Sequence, residues 1–301
     1  MKLNLSKCVA TAALLVFVGL VVPASHTAAA APILPALADP ATNVAIPGKF
    51  VWFDLVTSDT SASQRFYSKV FGWEFQQVRG TKERYLLIRN EGKNIGGIVK
   101  PEAAPKGTVG ARWLSIASVA NMDRAVAAIT AGGGQVLQPA LVVDGFGTRA
   151  LLRDSQGALI GLLQSSSGDR KDAPVETGEF FWVDLYARDP AAAANAYKQL
   201  GYELYTDEVS GDNRIILSAK GYARAGILRM PADGREPGWL PYVQVDDVPA
   251  TLALVRAAGG KVLREPDPAI LGGQFAVFAD PLGGVLGVLH WSSAATAGAT
   301  P

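Results

Sequence analysis

Along the chain, apolar and polar positions form a short alternation, then a helical stripe, then further alternations. That series is written four times. Residues 50–59 (Phe-Val-Trp-Phe-Asp-Leu-Val-Thr-Ser-Asp) alternate as a half-buried strand does, with Trp52, Asp54 and Val56 on one face and Val51, Phe53 and Leu55 on the other. Asp59-Thr60-Ser61 marks a helix start, since a short polar side chain there accepts a free backbone N–H. Phe66, Tyr67, Val70 and Phe71 supply the apolar stripe, and Gly72 stops it. Strands are predicted at 73–77, 85–89 and 95–100. A second unit has strands at 113–119, 135–137, 149–153 and 159–164. Its helix spans 122–131, with Val126 and Ile129 inward and Gly132-Gly133-Gly134 at its end.

The rest of the chain repeats these two units. Trp182-x-Asp184-Leu185 restates Trp52-x-Asp54-Leu55 at an offset of 130, and Tyr197 falls on Tyr67. Trp239, Gly259-Gly260 and the turn Asp280-Pro281-Leu282-Gly283 restate Trp113, Gly133-Gly134 and Asp154-Ser155-Gln156-Gly157 at an offset of 126. One unit leaves an apolar sheet face uncovered, so the pair is the natural domain. The expected layout is a first domain at 49–166, a linker at 167–177, a second domain at 178–292 and a tail at 293–301. A further Pro/Gly/Ala-rich linker is expected at 103–110 within the first domain.

The first residues stand apart from this pattern. Lys2 and Lys7 precede an apolar run from Val9 to Val22, then Pro23 and an alanine stretch ending near Ala31. At about 14 residues the run is short of the ~20 that a spanning helix needs. It is therefore predicted to be a signal peptide over 1–30. That predicts an exported protein, periplasmic or secreted, with no membrane association after cleavage. Residues 31–48, Ala/Pro-rich and aperiodic, read as a tether or frayed arm.

Cleavage changes the available chemistry. Cys8 is the chain's one cysteine, and His26 also leaves, so His290 becomes the one histidine. Losing Lys2 and Lys7 takes the formal charge from +1 to −1. A near-neutral chain without a basic run gives no electrostatic case for nucleic acid. Gly132–134 and Gly259-Gly260 do not follow strands, as a phosphate loop must.

Phe-Tyr on an Asp-capped helix, Gly-Trp-Glu, Gly-Gly-x-Val and Asp-x-x-Gly, ordered as paired βαβββ units, resemble the vicinal-oxygen-chelate superfamily. That superfamily includes glyoxalase I, extradiol dioxygenases, fosfomycin-resistance enzymes and bleomycin-resistance proteins. The likeness covers 49–291 and is nearest to two-domain bacterial glyoxalase-like proteins. It implies an α+β fold, with four βαβββ modules paired into two glyoxalase-like domains with curved mixed sheets. It also implies metal slots on the first and last strand of each unit. By spacing these fall on Trp52, Gly97, Leu114 and Gly161, then Trp182, Gly226, Leu240 and Gly287. None has a donor side chain, so no metal and no other cofactor is expected.

The occupants suggest other chemistry. Trp52 and Trp182, each matched with a glycine on the last strand, can be core filling or an aromatic wall for a flat ligand. Asp54 and Asp184 share the inward face of their tryptophans. Each is either a carboxylate held by a turn or an arginine, or a ligand acceptor or general base. Ser118, Tyr242 and Gln244 are expected inward as polar pocket contacts. His290 and the exposed Glu74 and Glu203 read as structural.

These residues are compatible with an exported protein that binds a small, partly aromatic molecule. The alternatives are a metal-independent enzyme using Asp54 or Asp184 as acid/base, and a structural module whose cavities have filled.

Overall fold

The computed structural model describes residues 34–81, 84–101, 110–207, 214–231 and 236–291. The predicted leader, the tail and nearly all of the 103–110 linker lie outside them. No helix among the described residues is long and apolar enough to cross a membrane.

The first unit comprises β1 (Phe50–Thr57), α1 (Thr60–Phe71), β2 (Glu74–Gln77), β3 (Tyr85–Asn90) and β4 (Lys93–Val99). The second has β5 (Ala111–Ser118), α2 (Met122–Ala131), β6 (Gln135–Val143), β7 (Gly147–Arg153) and β8 (Leu159–Ser165). The third has β9 (Phe180–Ala187), α3 (Pro190–Lys198), β10 (Glu203–Asp207), β11 (Arg214–Ala219) and β12 (Tyr222–Arg229). The fourth has β13 (Gly238–Gln244), α4 (Val248–Ala257), β14 (Lys261–Arg264), β15 (Phe275–Ala279) and β16 (Val285–Leu289).

Each helix begins where a short polar side chain meets the backbone. Asp59, Asn121, Asp189 and Asp247 accept from the N–H three residues on, at 2.8–3.1 Å. Gly72 ends α1 in the left-handed region, with φ at 72°.

Units pair as their repeats require. One eight-stranded sheet runs β2-β3-β4-β1-β5-β8-β7-β6, and the other runs β10-β11-β12-β9-β13-β16-β15-β14. In each the two first strands are antiparallel at the centre, with Asp54 opposite Leu114 and Asp184 opposite Leu240. The register shifts between Phe50 and Trp52. That irregularity moves Val51 to the face of Trp52, where strict alternation had set it opposite, and Phe50 packs with the other cluster.

The helix-bearing faces of both sheets share one apolar core. Phe53 stacks on Phe180 with ring centroids 4.0 Å apart. Contacts also join α1 to α4 and α2 to α3. The repeated motifs carry this junction. Tyr67 donates to Asp280 at 2.9 Å and accepts from the Trp113 indole at 3.0 Å. Tyr197 donates to Asp154 at 2.9 Å and accepts from Trp239 at 3.3 Å. Each tyrosine therefore ties its own domain to the other domain's Asp-x-x-Gly turn.

The arm departs from the tether reading. Leu34, Leu37 and Ala38 are buried, and the two leucines join the cluster on the helix-free face of the first sheet. Ala38 N–H donates to Ser167 Oγ at 3.0 Å, and Leu34 N–H to the Asp144 carbonyl at 3.1 Å. Two leucines spaced by three suffice to dock a segment that has no periodicity of its own.

Candidate functional site

The helix-free face of each sheet gathers the inward residues that the repeat singles out, and the two faces are built differently. In the first domain Trp52 is 1% exposed and lies edge-on to Phe146, with centroids 5.0 Å apart. Its indole N–H donates to Asp54 Oδ1 at 2.9 Å and approaches the Tyr85 hydroxyl at 3.0 Å. Tyr85 donates to the same carboxylate oxygen at 2.7 Å, and Arg149 on β7 donates to Asp54 Oδ2 at 2.5 Å. Asp54 and Arg149 are both buried, and the leucines of the arm close the same cluster. Burial and the adjacent Asp54 charge push the Tyr85 phenol well above its ordinary value.

The glycine at slot 97 makes room, though for other atoms than an indole. A Cβ there would lie 2.2 Å from the Tyr85 hydroxyl and 2.7 Å from Asp54 Oδ1. Gly161 makes room for Ile116.

In the second domain Trp182 is only half-buried, and its indole donates to Asp184 Oδ1 at 2.8 Å. The charge partner has moved. Arg214 lies on β11 where Tyr85 lies on β3, with Nη2 3.7 Å from Asp184 Oδ2. Phe275 takes the place of Arg149, two residues before the partner of the last-strand glycine. Tyr242, opposite Trp182 on β13, and the half-buried Tyr186 both lie close enough to Asp184 to feel its charge. Burial, then the Asp184 charge, raises both phenols. Gly226 gives way to Asp184 and Arg214, and Gly287 to the Tyr242 ring.

Two cavities adjoin this second face. One of about 700 Å³ lies between the domains, lined by Phe181, Trp182, Tyr222 and Arg224 of the second, Lys49, Phe50, Val51 and Lys93 of the first, and the linker residues 170–175. The other, about 530 Å³, is lined by Tyr186, Leu240, Val277 and Val285 of the second domain and by Ala111, Arg112, Trp113 and Leu159 of the first. Asp184 itself is buried, while its neighbours Trp182 and Tyr186 each reach a cavity shared between the domains.

Other predicted contacts serve elsewhere. Ser118 Oγ donates to Asp169 Oδ2 at 2.5 Å, which also accepts from the Ile46 N–H at 2.5 Å, fastening arm to linker. Gln244 holds the chain end, accepting from the Trp291 N–H at 3.1 Å. His290 Nδ1 lies 2.9 Å from the Val245 carbonyl. Reading strands singly missed Arg149, Tyr85, Arg214 and Tyr186. The signal that could have found them is the repeat itself, where Tyr85 answers to Arg214 and Arg149 to Phe275.

The family's metal slots carry indole, isobutyl or hydrogen, and none of these can ligate. Among the described residues no three His, Cys, Asp or Glu side chains gather as a metal-holding group.

Two sheets of paired βαβββ units, each with a Trp-x-Asp on its helix-free face, define a two-domain vicinal-oxygen-chelate protein. The family model for the Glyoxalase/Bleomycin resistance protein/Dioxygenase superfamily matches residues 179–287, and that for the Bleomycin resistance protein-like N-terminal region matches 49–82. The Mycobacterium bovis and Mycobacterium tuberculosis proteins named "Putative glyoxylase CFP32" are each 33% identical over 243 residues, covering 79% of this chain and 93% of theirs. The chain belongs to this superfamily. The anthracycline biosynthesis protein DnrV of Streptomyces peucetius is 26% identical, over 73% of this chain and 85% of its own. Among solved structures, the Mn(II)-bound glyoxalase of Novosphingobium aromaticivorans aligns with a TM-score of 0.55 at 14% identity, covering 82% and 83% of the two chains. Homoprotocatechuate 2,3-dioxygenase of Brevibacterium fuscum aligns at 0.58 and 14%, covering 88% and 74%. At that identity both speak to the fold alone.

Proposed function

We propose that this is an exported, metal-independent small-molecule-binding protein of the superfamily, in which the second domain binds and the first is a filled, structural counterpart. The observation that carries this reading is the contrast between the tryptophans. Trp52 is sealed beneath Phe146 and the arm, whereas Trp182 is half-buried on a cavity of about 700 Å³. An aromatic wall of Phe181, Trp182 and Tyr222 in a cavity that also carries polar side chains suits a small ligand with a flat apolar portion. Names drawn from anthracycline biosynthesis among the relatives are in keeping with an aromatic ligand. Export rests on the charge and apolar pattern of residues 1–30.

An acid/base role for Asp54 has little support, because three donors occupy both of its oxygens in a sealed core. Asp184 is also buried and accepts from the Trp182 indole, which favours holding the aromatic wall in place over proton transfer. The test is a titration of the purified mature chain with a fluorescent apolar probe, N-phenyl-1-naphthylamine. Trp182→Ala is expected to weaken binding markedly, and Trp52→Phe to leave it unchanged. Absence of binding, or equal loss in both variants, would refute the assignment. Sequencing the mature N-terminus tests export, with a start near Ala31 expected.

A further inference from the structure

The cavity beside Trp182 has an unusual charge balance. Its lining holds five cations, Lys49, Lys93, Arg170, Lys171 and Arg224, against two carboxylates, Asp172 and Glu179. Both carboxylates are already engaged. Asp172 is gripped by Arg224 through two bonds of 2.7 and 2.9 Å and by Lys49 at 3.0 Å. Glu179 pairs with Lys93 at 3.0 Å. These pairs account for three of the five cations.

Arg170 and Lys171 remain. Arg170 donates one hydrogen bond, from Nη2 to the Asn94 carbonyl at 2.7 Å, and meets no carboxylate at ion-pair distance among the described residues. Burial lowers its pKa, and the Glu179 charge only partly opposes that. Lys171 is exposed beside it, also without an ion pair among the described residues. A guanidinium presents five donors in a planar fork that matches a carboxylate or phosphate oxyanion. Across the cavity Phe181, Trp182 and Tyr222 supply an apolar wall.

We infer that this cavity selects anionic ligands with an apolar body, the negative group seated on Arg170 and Lys171 and the body against Trp182. The inference rests on the second-domain binding proposed above and adds the ligand's charge to it. It gives the linker, which carries both cations, a part in recognition.

The experiment compares two fluorescent probes that share an aromatic body, 8-anilinonaphthalene-1-sulfonate and the uncharged N-phenyl-1-naphthylamine, on the mature chain. The sulfonate is expected to bind about tenfold more tightly, the scale of one charge-assisted pair. Arg170→Gln with Lys171→Gln should erase that preference while leaving the neutral probe unchanged. Both positions are in the linker, outside the strands and helices, and unfolding curves confirm that the variant is intact. Equal affinities in the wild type, or a preference that survives in the double variant, overturn the anion inference and leave second-domain binding standing. If neither probe binds, or Trp182→Ala affects neither, both readings fall together.

Discussion

The two helix-free faces share one repeated pattern, yet the first buries its tryptophan fully and the second leaves its tryptophan half-buried beside a cavity. Both begin with Trp-x-Asp and both give the aspartate an arginine. In the first domain the arginine comes from β7 and lies at 2.5 Å, with a phenol from β3 completing the shell. In the second it comes from β11 and lies at 3.7 Å, and the phenols come from β9 and β13. The arm sets Leu34 and Leu37 over the first face, while among the described residues the apolar cluster on the second gains Ile270 alone from outside its strands. A strand repeat fixes where side chains point, while long-range partners decide whether the place they point to is full.

The largest expected effect comes from breaking the buried pair. Arg149→Met should destabilise the first domain by about 3–5 kcal/mol, because it leaves the Asp54 charge buried without its cation. Arg214→Met should cost clearly less, since Arg214 is more exposed and its pair longer. Urea unfolding of the two variants measures the difference. Equal losses would mean that the two faces are energetically alike.

Next is the plug. Leu37 is 1% exposed, so Leu37→Ala should cost about 2–4 kcal/mol through lost burial and the cavity left behind. If the arm were a tether, stability would not change.

A smaller effect concerns the junction that the domains share. Burial raises the Asp154 and Asp280 carboxyls above the ordinary range, against hydrogen bonds that lower them. A raised carboxyl is protonated more readily in the folded state than in the unfolded one. Its contribution is thus greatest below the unfolded value and declines as pH rises from about 4 through the folded value. Asp154→Asn with Asp280→Asn should flatten that decline, as read from unfolding midpoints against pH. An unchanged slope would show that these turns do not titrate with folding.

The smallest effect belongs to Asp172, which hydrogen bonds from Arg224 and Lys49 hold down at about 2. Its contribution is present above the unfolded carboxyl value and is lost as pH falls towards 2. Because the pair is partly exposed, salt should weaken it. Faster proteolysis of the 166–178 linker at pH 3 than at pH 6, with an acid-active protease and control for its own pH response, is the expected result.

Much of the fold was legible because its evidence is local and repeated. Asp59 marks a helix start within four residues, and the offsets of 126 and 130 pair the units by sequence alone. Tyr67, Trp113 and Asp280 were legible as members of the repeat, but not as one linked group, because Tyr67 and Asp280 are 213 residues apart. The inward aspartates were visible and their partners were not. Arg149 reaches Asp54 from 95 positions away, and β7 looks like any strand carrying a charge. Ser118 and Gln244 are buried and bond to the linker and to the chain end, segments that alternation cannot foresee because it reports a face and says nothing of what comes to rest on it. The arm escaped for the same reason: Leu34 and Leu37 gain meaning only from the surface beneath them.

The central claim is that one face per chain accepts a ligand and that it is the second. Native mass spectrometry of the mature chain with 8-anilinonaphthalene-1-sulfonate, repeated on Trp52→Phe and Trp182→Ala, tests it most directly. One probe per chain, retained in Trp52→Phe and lost in Trp182→Ala, is the predicted result. Two probes per chain, or loss in Trp52→Phe with retention in Trp182→Ala, would contradict it.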